Sequence, residues 1–239
     1  MNHLEVPRSR RANRPGADPS SAVTTGQSQL IRKECIMRVL TILLVFASAA
    51  LVQAAPMNPG DTLFPAPGEP DPVGAALVAS SGAQGFASAN YTGTLTSNVY
   101  TNDASNPYGL GALTFTYLVA DDATSINSLE RLTVNGYTGF LTDASYQTPA
   151  AGVAPTLIDR GTADVVGFSF AGFGPGVILP GQHSALLVVQ TNATAYTTTI
   201  ASVQDGTIAQ VPTYSPAPEP ASLALITIGF LAVACRRRK

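Results

Sequence analysis

Between Ala55 and Pro220 this 239-residue chain offers one histidine, His183, set in Pro180-Gly181-Gln182-His183-Ser184. An imidazole there could serve as a general base only if a nucleophile and an orienting carboxylate were brought to it, and Ser184 is its neighbour in sequence alone. Gly-Gln-His-Ser also lacks the strand–turn–helix setting of a Gly-x-Ser-x-Gly nucleophile. With no cysteine in the same segment, a lone histidine cannot furnish a zinc site. His183 therefore reads as a turn residue ahead of a buried strand. Asp121-Asp122, followed by Thr124 and Ser125, could offer oxygens to calcium. The Asp-x-Asp-x-Asp-Gly spacing is missing, and a solvated acidic loop is the plainer reading. Glycoside hydrolysis needs two carboxylates facing each other across a cleft, and nothing singles out a pair. Gly172-Phe173-Gly174-Pro175-Gly176 is a turn without the lysine or the helix start of a phosphate loop. No catalytic, cofactor-binding or metal-ligating residue is assigned, and the expectation is a protein that is not an enzyme.

The residues with a definite chemical consequence close the chain. Pro218-Glu219-Pro220 is followed by an uncharged run from Ala221 to Cys235 and then by Arg236, Arg237, Arg238 and Lys239. Prolines keep the first part out of helix and sheet, leaving it extended and accessible. The apolar part partitions into a bilayer, and the basic end stays on the cytoplasmic side. The run is shorter than the roughly 20 apolar residues of a comfortable span, which weakens the reading as an ordinary single-span anchor.

This tail, residues 215–239, resembles the PEP-CTERM sorting signal of Gram-negative bacteria that make exopolysaccharide. Pro218, Glu219 and Pro220 match the motif, Ala221 and Ser222 the small residues after it, and Arg236 to Arg238 the basic end. One departure is that Val211-Pro212 lies upstream instead of abutting the motif, as a Val-Pro often does. The resemblance covers about a tenth of the chain. It implies cutting near the motif by the membrane enzyme exosortase, a transient membrane anchor, and delivery to the cell surface or extracellular matrix.

A second address begins at Met37-Arg38, followed by the apolar Val39 to Phe46 and the small residues Ala47 to Ala50. A basic start, a short apolar core and small residues at −3 and −1 make a secretory signal peptide over 37–54. Val52 and Ala54 hold those two sites, so signal peptidase is expected to cut between Ala54 and Ala55. Residues 1–36 carry six basic residues and no apolar period. Arg10-Arg11 stands too far from the apolar core for a twin-arginine signal. The segment reads as disordered and as a start placed too early, with Met37 the initiator.

Between the two addresses the only basic residues are Arg131 and Arg160, against twelve acids, a formal charge of roughly −10 hidden by the −2 of the whole chain. Such a surface repels phosphate backbones, which excludes nucleic acid as a partner. The two cysteines, Cys35 and Cys235, both fall outside this segment, so core packing alone must hold it.

Within that segment, 55–72 is rich in proline and glycine and reads as an exposed leader or edge. Residues 73–214 are dominated by Thr, Val, Ala, Gly, Tyr and Phe, with little to build a helix surface. Alternation in Leu113 to Val119 and in Val166 to Phe170 predicts strands with one solvent face. Ala185 to Val189, apolar on both faces, predicts a central strand covered on both sides. Asn135-Gly136 and Asp205-Gly206 predict hairpin turns. The three-residue spacing of Ile126, Leu129 and Leu132 predicts a helical turn near Ser125 to Arg131. Tyr91 to Tyr100 echoes Tyr137 to Tyr146 at six of ten positions, either as paired strand units offering tyrosines to a sugar or, more plainly, as chance between Tyr/Thr/Gly-rich strands. The fold expected is all-β, a single β-sandwich or jelly roll. The function expected is an exported, non-catalytic surface or matrix protein associated with extracellular polysaccharide. A carbohydrate-binding or adhesive module is the alternative, and a secreted hydrolase is the weakest reading.

Overall fold

The computed structural model describes residues 56–162, 165–172 and 176–218. Residues 1–36, the signal peptide, the Ala54–Ala55 cut, Glu219, Pro220, the apolar run and Arg236 to Lys239 lie outside the described residues.

The described residues are all-β, with no helix. In chain order the strands are β1 (Pro56–Met57), β2 (Thr62–Leu63), β3 (Gly68–Glu69), β4 (Ala76–Ala87), β5 (Thr92–Thr101), β6 (Thr114–Asp121) and β7 (Arg131–Val134). They continue with β8 (Thr142–Gln147), β9 (Leu157–Arg160), β10 (Val166–Ser169), β11 (Leu187–Thr191), β12 (Tyr196–Asp205) and β13 (Thr207–Pro216). One sheet runs β1-β8-β11-β6-β5-β4, with β3 added parallel to β8; the other runs β13-β12-β7-β10-β9-β2 and is antiparallel throughout.

Alternation decides which side of each strand is buried. Along β5, Leu95, Ser97 and Val99 turn inward while Thr94, Thr96 and Asn98 are partly exposed. The inner faces of both sheets share one apolar core, with Leu95, Phe115, Tyr117, Leu187 and Val189 from the first and Leu132, Phe168, Ile158, Ala201 and Val211 from the second. Burying each large side chain contributes about 1.5–3 kcal/mol relative to leaving it exposed. Polar atoms inside that core find partners across it. The Tyr117 hydroxyl donates to the Tyr214 carbonyl at 2.7 Å and lies 2.6 Å from the Tyr137 hydroxyl, and Tyr91 donates to the Val203 carbonyl at 2.8 Å.

Strand β11 is buried at every position, as its two apolar faces predict. Its outer face is roofed by the connection between β5 and β6, where Asn106 Nδ2 donates to the carbonyls of Leu113 and Thr191. The Pro/Gly-rich 55–72 segment supplies β1, β2 and β3, whose two-residue pairings carry no period a sequence could show, and it buries Met57, Ala66, Glu69 and Asp71.

Two local expectations are corrected. Ser125 to Arg131 forms no helical turn: Ile126 is 79% exposed, Leu129 makes an isolated bridge with Ile178, and Leu132 lies in β7. Asn135-Gly136 forms no hairpin: Gly136 has φ 100°, and the turn falls two residues later, at Thr138-Gly139. The strand before it pairs with β10 and β12, and the next strand, β8, belongs to the other sheet. Asp205-Gly206 does join a ten-residue hairpin, β12 to β13, with Gly206 at φ 63° at the tip.

Candidate functional site

The outer face of the second sheet is open, and its register assembles one polar row near the β12–β13 hairpin tip. Gln204 stands opposite Arg131, Arg131 opposite Ser169, and Ser169 opposite Leu157. Leu63 pairs with Ile158, so Phe64 continues the row beside Leu157. Residues directly opposite one another share a face. Phe64 is 62% exposed.

Arg131 is fixed in place. Its Nη2 lies 2.7 and 2.8 Å from the two carboxylate oxygens of Asp159, and Nη1 donates to Ser169 Oγ at 2.5 Å. The guanidinium lies flat because β10 has no side chain beneath it: a Cβ on Gly167 would overlap the guanidinium and meet Asp159 as well. This is the use of glycine where another group must approach the sheet closely. With Glu130, Gln204, Ser169 and Phe64 the guanidinium lines a groove of about 480 Å³, within the usual range for ligand sites. The Arg131–Asp159 pair is about a quarter exposed on each side, so planar donors and acceptors are pre-oriented yet reachable from solvent.

The outer face of the first sheet is built the opposite way. Under its roof Asp103, fully buried, accepts from Val73 N (2.9 Å), Ser105 N (3.1 Å), Ser105 Oγ (2.6 Å), Thr114 Oγ1 (2.7 Å) and Gln190 Nε2 (3.0 Å). Burial pushes its carboxyl up, but those hydrogen bonds outweigh burial and hold it below the usual range. Beside it lie Glu69, Asp71 and Asp143, all buried, with Ser145 Oγ donating to Asp71 at 3.4 Å. Among the described residues, neither carboxylate oxygen of Asp143 meets a hydrogen-bond partner. Burial, then the charges of Asp143 and Asp71, push Glu69 up to about 7; burial, then the charge of Asp71, push Asp143 up to about 7. Among the described residues no three His, Cys, Asp or Glu side chains gather as a metal site.

The residues singled out by sequence are dispersed. His183 is exposed, and its Nδ1 sits 2.8 Å from the Ser184 carbonyl, while the Ser184 hydroxyl is buried and accepts from Val119 N. Asp121 is buried and Asp122 exposed, with Asp122 accepting from Thr92 Oγ1. The echoed Tyr91 and Tyr137 are both buried; Tyr91 leads directly into β5, whereas Tyr137 to Leu141 is outside any strand. Tyrosines therefore do not line the groove; Phe64 takes that place. Arg131 was visible in sequence only as one of two cations in an acidic segment, and its partner Asp159 lies 28 positions away.

The described residues define a two-sheet, all-β domain. Directly at its end, residues 216–239 match the family model of the PEP-CTERM protein-sorting motif. This motif marks a protein for export, processing by exosortase and membrane-associated sorting in Gram-negative bacteria. No curated protein and no solved structure matches the chain. The motif match begins at Pro216, the last residue of β13, and Pro218 is exposed.

Proposed function

We propose that this chain is an exported, non-catalytic surface protein whose β-domain is delivered by exosortase to the cell surface or extracellular matrix, where it acts as a structural or polysaccharide-associated component. The observation that carries this reading is the sorting motif beginning where β13 ends. In this reading the folded body runs on into Pro218-Glu219-Pro220, whose prolines disfavour helix and sheet and so suit a segment that an integral enzyme grips at the membrane boundary. The basic residues Arg236 to Lys239 resist translocation because each charge costs about 2.5–3.5 kcal/mol at the bilayer centre on insertion scales. In this reading translation starts at Met37, and signal peptidase releases Ala55 as the mature N-terminus. The non-catalytic part is supported by His183 Nδ1 facing the Ser184 carbonyl and by the buried Ser184 hydroxyl accepting from Val119 N.

Changing Pro218, Glu219 and Pro220 together to Ala tests the sorting. The expected result is an uncut precursor retained in the inner membrane. Surface delivery at normal size and amount would mean that the tail is only an anchor. A second reading, a carbohydrate-binding module, is favoured by one feature, the groove with Phe64 beside the fixed Arg131–Asp159 pair.

A further inference from the structure

We infer that the groove at the β12–β13 tip binds an uncharged polysaccharide, laid across the strands of the second sheet; this rests on the carbohydrate-binding reading above.

Charge selects the ligand class. Arg131 is the one cation at the groove, and Asp159 neutralises it at 2.7–2.8 Å. Glu130 lines the groove and Asp205 sits at the hairpin tip, so the local balance is negative within a segment already short of cations. Arg160, the other cation, is buried on the inner side, donating to the carbonyls of Met57, Tyr137 and Phe140 and to Thr142 Oγ1. An anionic polymer would meet net repulsion. A hydroxyl-rich neutral one would not, and it could accept from the guanidinium that lines the groove.

The polar groups suit hydroxyls. Ser169 Oγ accepts from Arg131 and keeps its own proton to donate outward. Gln204 adds a planar amide with a donor and an acceptor, and Glu130 is an exposed acceptor. At the other end Phe64 presents an aromatic face to solvent, a surface for the apolar face of a sugar ring. The guanidinium is already desolvated on its lower side by the backbone of Gly167 and held by two partners, so little ordering is left to do on binding.

Length selects a chain over a single sugar. Gln204 to Phe64 spans β12, β7, β10, β9 and the end of β2, four inter-strand steps of about 4.8 Å, or about 19 Å in all. Site and tail are also well separated. β13 runs ten residues from the tip to Pro216, about 33 Å at strand rise, which carries the groove away from where the chain leaves for the membrane.

The test uses the full chain purified in detergent. Its migration is measured in native gels containing neutral polymers (dextran, laminarin, galactomannan) or anionic ones (alginate, hyaluronate). The expected result is retardation by at least one neutral polymer. Phe64→Ala and Gln204→Ala, both on the open face, should weaken it by about tenfold or more while thermal melting stays unchanged. Arg131→Met should do the same. Retardation by anionic polymers alone overturns the neutral-ligand inference and leaves the carbohydrate-binding reading standing. Retardation by none of the five overturns both. Neutral retardation unaffected by Phe64→Ala and Gln204→Ala shows binding elsewhere and overturns the site.

Discussion

The two outer faces of this sandwich use the same strand alternation to opposite ends. On the first sheet, Thr114, Asp143, Ser145 and Gln190 point outward and are buried under the 70–73 segment and the β5–β6 connection. On the second, Arg131, Thr133, Ser202 and Gln204 point outward and remain partly exposed. The roofed face confines carboxylates and governs stability. The open face pairs its charges near water, where they contribute little to stability and remain available to a ligand. Polar residues on a strand therefore do not announce their role; what covers them decides it.

The sharpest way to break that contrast is to remove the centre of the roofed network. Asp103→Ala leaves Thr114 and Gln190, both buried, without their shared acceptor, and frees the Val73 and Ser105 amides as well. The expected loss is about 3–5 kcal/mol, the range for breaking a buried charged network, read as a drop in the midpoint of chemical denaturation. A loss under about 1 kcal/mol would mean that the roof does not hold the face.

Acidity comes next. Glu69 and Asp143 are raised to about 7 in the folded protein, and Asp71 and Asp121 are raised as well. Each raised carboxyl binds its proton more tightly folded than unfolded. Its favourable contribution is full below the unfolded value near 4 and is lost as pH rises through the folded one. Asp103 is lowered, so its opposite contribution changes only on the acid side of 4. Melting temperature should therefore fall between pH 5 and pH 8. A flat or rising profile over that range would contradict the buried, unpaired state of Asp143.

The smallest stability effect belongs to the open face. Gly167→Val places a side chain where the Arg131 guanidinium lies, and the guanidinium can swing to solvent. Losing a partly exposed ion pair costs about 0–1 kcal/mol. Neutral-polysaccharide retardation should nonetheless be lost, while the pH profile of the roofed face is unchanged. Equal damage to stability and binding would remove the distinction between the faces.

Much of the scaffold was legible in residues. The alternation of Val166 to Phe170 and the apolar Ala185 to Val189 run located β10 and β11, because burial pattern is local. Asp205-Gly206 located a hairpin because its neighbours pair with each other. Asn135-Gly136 has the same chemistry, but partner choice there is settled by β10 and β12, distant in sequence. The Ile126–Leu129–Leu132 spacing looked helical because two buried residues happen to lie three apart across a bridge and a strand. The candidate groove was not legible. It exists through a register that lays Arg131, Gly167 and Asp159 side by side, and no local pattern encodes that. The sorting tail was fully legible, since its chemistry is linear: prolines, an apolar run and a basic end in fixed order.

In the proposed reading the domain is cargo and the tail an address removed on delivery. The intact mass of the surface-borne protein tests this most directly. The expected species begins at Ala55, ends near Pro218-Glu219-Pro220 and lacks the apolar run and Arg236 to Lys239. A surface species whose mass still includes that basic end would contradict it.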